Sequence, residues 1–118
     1  MTRDPGLDVL LELDGSVFAE DNGYWHKIEA TRVKPTPQRP HGISYCLTLH
    51  DQYNKRLMGF DNAHAPHKSQ TSRYKGRIVA YDHQHKDSND KGTAYEFSSA
   101  DQLLIDFYAE VNRIIEEA

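Results

Sequence analysis

The sequence predicts an α+β fold, an antiparallel sheet of four to five strands with a C-terminal helix packed across one face. Three observations carry that expectation. A helical stripe of apolar residues closes the chain, an eight-residue stretch near its middle alternates in period two, and turns rich in Gly, Asn and Pro separate the remaining apolar runs. At 118 residues the chain is near the commonest size for one folding unit, so residues 1–118 are read as a single domain with one core.

Leu7 to Leu13 is apolar but broken by Asp8 and Glu12, so no signal peptide is read there, and a first strand is expected near Val9–Leu13 or Val17–Phe18. Asn22-Gly23 favours a tight hairpin because both residues accept positive φ, and it leads into a strand from Tyr24 to Val33. Lys34 to Pro40 contains Pro35, Pro37 and Pro40; proline lacks the N–H that a sheet ladder needs, so this segment is a loop. Ile43 to His50 places Ile43, Tyr45, Leu47 and Leu49 on one face. Asp51 to Lys55 forms a turn, and Arg56 to Asp61 returns as the second strand of a hairpin. Arg77 to Tyr81 gives a fifth strand, while residues 62–76 and 84–94 read as polar and turn-like. A helix is expected over 98–115, with Ser98 as N-cap and Asp101 in the first turn. Leu103, Leu104, Phe107, Tyr108, Val111, Ile114 and Ile115 fall on one face of it. Glu116 and Glu117 oppose the helix dipole, so its last turn is expected to fray.

Composition narrows the class. Apolar residues make up 37% and charged residues 27%, a polar balance that remains globular because Tyr, Leu, Ile and Val recur in clusters. No apolar run approaches the roughly 20 residues of a membrane helix. Cys46 stands alone, which excludes an internal disulfide and a cysteine-built zinc site and fits the cytoplasm. The net charge of −4 conceals an asymmetry. Residues 1–31 and 92–118 each carry −5, whereas residues 32–91 carry +6 and six of the seven histidines. Such a local basic field attracts phosphates even on an acidic chain; the alternative is a solvated loop with lysines kept for solubility.

Two clusters in this basic segment can carry chemistry. Asp61-Asn62-Ala63-His64-Ala65-Pro66-His67 leaves the hairpin, and Tyr81-Asp82-His83-Gln84-His85-Lys86 leaves the fifth strand. Each sets a carboxylate beside imidazoles at a strand end, where a rigid sheet holds polar groups in place. A histidine with an aspartate partner serves as a general acid or base near neutral pH. Cleaving RNA through its 2′-OH requires such a base, an acid, and cations around the phosphate. Asp61, His64, Asp82, His83 and His85 are therefore the candidate catalytic residues, and Arg73, Lys75, Arg77 and Lys86 the candidate phosphate contacts. If the two strands are neighbours, the clusters converge at one sheet edge.

Other readings of these residues stay open. His83 and His85, two apart on a strand, can present both imidazoles on one face to a metal, with His64 or Asp61 completing the set. No second motif of metal spacing supports this, and neither a metal nor another cofactor is expected. Both can also be surface or capping histidines. His26, His41 and His50 have no sequence neighbour that gives them a role. The chain has no Gly-rich phosphate loop, no G-x-S-x-G and no dinucleotide fingerprint. Cys46 falls opposite the apolar face, away from any helix N-terminus, so a catalytic thiol is not expected. Trp25 with Tyr24, and Phe107 with Tyr108, read as core rather than as a base-stacking platform.

Arg56-Leu57-Met58-Gly59-Phe60-Asp61-Asn62-Ala63-His64, then Tyr81 to Lys86, then Tyr95-Glu96-Phe97 leading into Leu103-Leu104-Ile105-Asp106-Phe107 and Glu110-Val111, resembles the TumE family. These are small toxin-like proteins of prokaryotic toxin–antitoxin pairs, usually encoded beside a helix-turn-helix antitoxin. The D-N-A-H and D-H-x-H-[KR] pieces are the specific part, and the resemblance covers residues 56–115. It implies a toxin role and an antitoxin partner and places weight on the two Asp/His clusters, whose own chemistry points to a nucleic-acid target, most simply RNA. Ribosome-dependent RNA-cleaving toxins are strongly basic, whereas this chain has a pI near 5.9, so its basic segment acts locally or its target lies off the ribosome. Two classes remain at this point: a metal-independent ribonuclease, and a non-enzymatic module whose His-rich loop binds a protein or ligand. A monomer and a homodimer are both compatible with the sequence.

Overall fold

A computed structural model of the chain describes residues 4–37, 40–62, 82–85 and 93–117. In chain order the elements are α1 (Pro5–Glu12), β1 (Ser16–Ala19), β2 (Trp25–Arg32), β3 (Ile43–His50), β4 (Arg56–Asp61), β5 (His83–His85), β6 (Thr93–Ala94) and α2 (Ala100–Glu117). The strands form one sheet in the order β1-β2-β3-β4-β5-β6, each antiparallel to the next. β6 has only two residues, so five strands of three or more residues make up the body of the sheet. Both helices pack on the same apolar side: α1 contacts α2 and β2, and α2 contacts β4.

Period-two alternation sorts the residues between the faces. His26, Ile28 and Ala30 of β2, Ile43, Tyr45, Leu47 and Leu49 of β3, and Met58 and Phe60 of β4 are buried on the helix side. Leu10 of α1 and Leu103, Phe107 and Val111 of α2 complete the core. Each fully buried large side chain contributes about 1.5–3 kcal/mol relative to an exposed one. Phe107 meets Phe60 edge-on at 6.2 Å and His26 at 5.8 Å, which fixes α2 over the centre of the sheet.

The hairpin β3–β4 and its Asp51–Lys55 turn have the boundaries that the alternation gives. Asp51 holds the turn by accepting the N–H groups of Tyr53 and Lys55, both at 2.9 Å. Asn22 and Gly23 take φ of 65° and 80°, the positive values their hairpin requires, and Glu20 N–H bonds Tyr24 O at 2.7 Å. The Pro-rich segment is a loop, closed by a Val33 N–H to Gly42 O bond of 3.0 Å.

Several expectations need correction. Val9–Leu13 is helical rather than extended: Pro5 starts α1, where its fixed φ suits a first turn, and Leu7, Leu10 and Leu13 follow at three-residue steps toward the core. A short apolar run of this kind fits either period, and the core contact decides it. The first strand is instead around Val17–Phe18. α2 is capped by Ser99, not Ser98, whose Oγ accepts Gln102 N–H at 3.0 Å. Asp4 adds a second cap from the other end of the chain, accepting Ala100 and Asp101 N–H at 2.7 and 3.2 Å. α2 extends to Glu117, and in its last turns Arg113 bonds both Glu110 and Glu117, the latter at 2.8 Å. Residues 84–85 and 93–94 lie in strands, not turns. The strand expected over Arg77–Tyr81 lies outside the described residues.

Candidate functional site

β4 and β5 are hydrogen-bonded neighbours, with Asp61 opposite His83 and Gly59 opposite His85. The two Asp/His segments therefore meet. Adjacent residues of a strand point to opposite faces, however, and the described polar groups of the segments fall into two clusters set back to back across the sheet.

The first cluster is on the face turned away from the helices. His85 Nε2 lies 3.0 Å from Asp61 Oδ2. Its other nitrogen, Nδ1, faces the Arg56 guanidinium at 3.5 Å. Guanidinium can only donate, so Nδ1 is the bare nitrogen and Nε2–H donates to the carboxylate. Both side chains retain a little solvent contact, 11% for His85 and 12% for Asp61. A carboxylate, an imidazole of defined tautomer and a cation thus stand in one line.

The second cluster is buried on the helix side. Asp82, 4% exposed, accepts the Tyr45 O–H at 2.7 Å, His41 Nε2–H at 3.1 and 3.2 Å, and Asn62 Nδ2–H at 3.4 Å. Ile43 N–H donates to His41 Nδ1 at 3.2 Å, so both ring nitrogens of His41 are engaged. Phe97 packs on that ring at 4.1 Å. Asn62 also donates to Ile43 O at 2.7 Å and accepts Tyr45 N–H at 2.8 Å. Burial, and then the charge of Asp82, push the Tyr45 phenol well above its usual range, which keeps the proton on oxygen as a donor. This network ties the end of β4 to the start of β5 and to the entry of β3.

Cys46 lies opposite Asp61 on β3. Burial, with the Asp61 and Glu29 carboxylates, pushes its thiol up to about 11, which disfavours the thiolate that catalysis requires. Among the described residues, no group of three or more metal-ligating side chains comes together. His64, Arg73, Lys75, Arg77, Lys86 and the His83 side chain lie outside the described residues.

Sequence reasoning gave no role to His41, which is the main partner of Asp82, nor to Asn62, which is fully buried inside D-N-A-H. No local pattern marks His41; its partners come from three other elements. His26 and His50 also have defined surroundings. His26 is a core histidine that pairs with Glu20 and meets Tyr108 Oη at 3.0 Å. Trp25 is not in the core: it stacks on His50 at 4.1 Å and 7° on the face away from the helices.

A family model for the toxin TumE matches residues 7–115, from α1 through nearly the whole of α2. The chain belongs to the TumE toxin family. The match extends the TumE likeness well upstream of residue 56, so α1, β1–β3 and the loop bearing His41 lie within the family's span. Membership in a toxin family implies an antitoxin partner. No curated protein and no solved structure matches the chain. No described helix is long and apolar enough to cross a membrane.

Proposed function

We propose that this TumE-family toxin is a metal-independent ribonuclease of the cytoplasm, neutralised by a helix-turn-helix antitoxin. The observation that carries the reading is the Asp61–His85 pair at 3.0 Å, with Arg56 at the other ring nitrogen. In the proposed reaction Arg56 turns to the phosphate and Nδ1 of His85 takes the proton of a 2′-OH. The 2′-oxygen attacks phosphorus, the bond to the 5′-oxygen breaks, and a second histidine, His64 or His83, protonates that leaving oxygen. The product is a 2′,3′-cyclic phosphate and a free 5′-OH. Asp61 holds the His85 tautomer and stabilises the imidazolium, as carboxylates do in other catalytic relays. Arg56, Arg73, Lys75, Arg77 and Lys86 offset the charge that grows on the phosphate. Asp82, enclosed by three donors, acts as a positioning residue rather than touching RNA.

The test is growth inhibition on inducible expression, with and without the neighbouring gene, for His85→Ala, His83→Ala and His64→Ala at matched expression. Each variant is expected to lose toxicity while keeping a parental circular dichroism melt and antitoxin binding. Arg77→Ala is expected to weaken RNA binding and lower the slope of log K against log salt by about 0.7–1. Histidine variants that stay folded and as toxic as the parent would sink the catalytic reading in favour of a non-enzymatic binding module.

A further inference from the structure

We infer that the sheet face bearing Asp61 and His85 carries a second subsite at Trp25, where an unpaired base of single-stranded RNA stacks. The inference rests on the RNA reading above and adds where the strand lies.

Strand register places three cross-strand rows on that face. Trp25, His50 and Arg56 form one row. Lys27, Thr48, Gly59 and His85 form the next, and Glu29, Cys46 and Asp61 the third. From strand and residue spacings, Trp25 lies roughly 15 Å from His85, a span of a few nucleotides. Between them Gly59 keeps the sheet low and closely packed: a Cβ there would come within 3.1 Å of Leu47 O and 3.2 Å of the Thr48 methyl.

The platform itself is built. Trp25 is half-buried, with one ring face covered by His50 in a near-parallel stack. His50 is held by Thr48 Oγ1 at 2.9 Å, and burial lowers its affinity for a proton, which favours a neutral imidazole. The next position along the row is Ala19 of β1, a single methyl, so the outer face of the indole is not blocked by a large side chain from that strand. Among the described residues the indole N–H has no acceptor. Two cations share the face: Lys27, two residues along β2, 40% exposed and 3.6 Å from Glu29, and Arg56, across His50 in the same row. An aromatic ring with cations along a groove is how proteins hold single strands, because every base offers a π-face and every linkage a charge.

Trp25 is the chain's one tryptophan, so its fluorescence reports this position alone. The probe is a 2′-O-methyl oligoribonucleotide about ten nucleotides long, which binds without being cleaved. Its labelled form is followed by anisotropy and its unlabelled form by Trp25 quenching. Saturable quenching with the anisotropy midpoint is expected. Trp25→Ala should weaken anisotropy binding about ten- to a hundredfold, Trp25→Phe only a fewfold, and Lys27→Ala should lower the salt slope by about 0.7.

RNA that binds with Trp25 fluorescence unchanged, and binds Trp25→Ala as it binds the parent, overturns the subsite and leaves the RNA reading standing. Absence of any RNA binding by anisotropy overturns both. Quenching by purified antitoxin but not by RNA makes the face a protein interface and overturns the assignment. If Trp25→Ala does not fold by circular dichroism, parental quenching, Trp25→Phe and Lys27→Ala decide the question by the same criteria.

Discussion

Replacing Asp82 by alanine removes one acceptor that three donors share, and the structure indicates which of them suffer. Asn62 loses only a 3.4 Å contact and keeps its bond to Ile43 O at 2.7 Å. His41 has a side chain 12% exposed and can turn part of its lost bond to water. Tyr45 is 1% exposed and cannot, so its hydroxyl is stranded. Hydrogen bonds to a charged group contribute about 1.5–3 kcal/mol each, and a stranded buried donor costs about 1–3 kcal/mol. Taken together, Asp82→Ala should cost about 3–5 kcal/mol, the sum of a stranded Tyr45 hydroxyl and a weakened His41. That is a large fraction of the roughly 5–15 kcal/mol that holds a domain together. Urea denaturation at neutral pH measures it, and an unchanged m-value shows that the folded state is otherwise intact. Asp82→Asn keeps the volume but sets an N–H₂ against another donor, and should cost less than alanine. Tyr45→Phe and Asp82→Ala should be non-additive, because both remove the 2.7 Å bond. A loss below about 1 kcal/mol for Asp82→Ala, or strict additivity with Tyr45→Phe, would refute the account of this network.

Three further outcomes follow from the packing and the titrating groups. Phe107→Ala should cost about 3–5 kcal/mol as a large-to-small change in the core; a loss under about 1 kcal/mol by denaturation would mean the α2 stripe does not pack as described. Alkylation of Cys46 by iodoacetamide should be slow at neutral pH and keep rising toward about 11, so a plateau well below that value contradicts its surroundings. His50 binds a proton less readily when folded than when unfolded. Its stabilising contribution is therefore present above the unfolded value near 6.5 and is lost as pH falls through the lower folded value. Stability of the parent should drop more between neutral pH and mild acid than that of His50→Gln, and equal slopes would contradict the assignment.

How far the sequence could be read depends on how local each interaction is. The β3–β4 hairpin is legible because alternation and the Asp51 turn act within a few residues. The same alternation held the signal for Trp25: a strand that buries His26, Ile28 and Ala30 must turn Trp25 and Lys27 to the other side. Reading Trp25 as core weighed its size over its position. α1 was hidden because Leu7–Leu13 fits two periods until Leu10 finds the cavity under α2. The D-N-A-H and D-H-x-H segments were recognisable as polar and special. Their division between two faces was not, since it depends on the pairing of β4 with β5. His41 was beyond reach, because its partners are Asp82, the Ile43 N–H and the Phe97 ring, brought together only by the completed sheet.

The two ends of the chain are fastened to each other. Asp4 caps α2, and a methyl added to Gly6 would overlap the backbone of Asp101, so α1 and α2 touch main chain to main chain at their first turns. A ribosome makes α1 before every strand of the sheet and α2 only after them. Until Ala100 and the residues after it emerge, α1 has only β2 to rest on, and the core around Leu10, Ile28 and Phe60 remains open. A product cut short by a broken message therefore leaves an open sheet, a substrate for proteases rather than a working toxin. The fold closes only once α2 has been made.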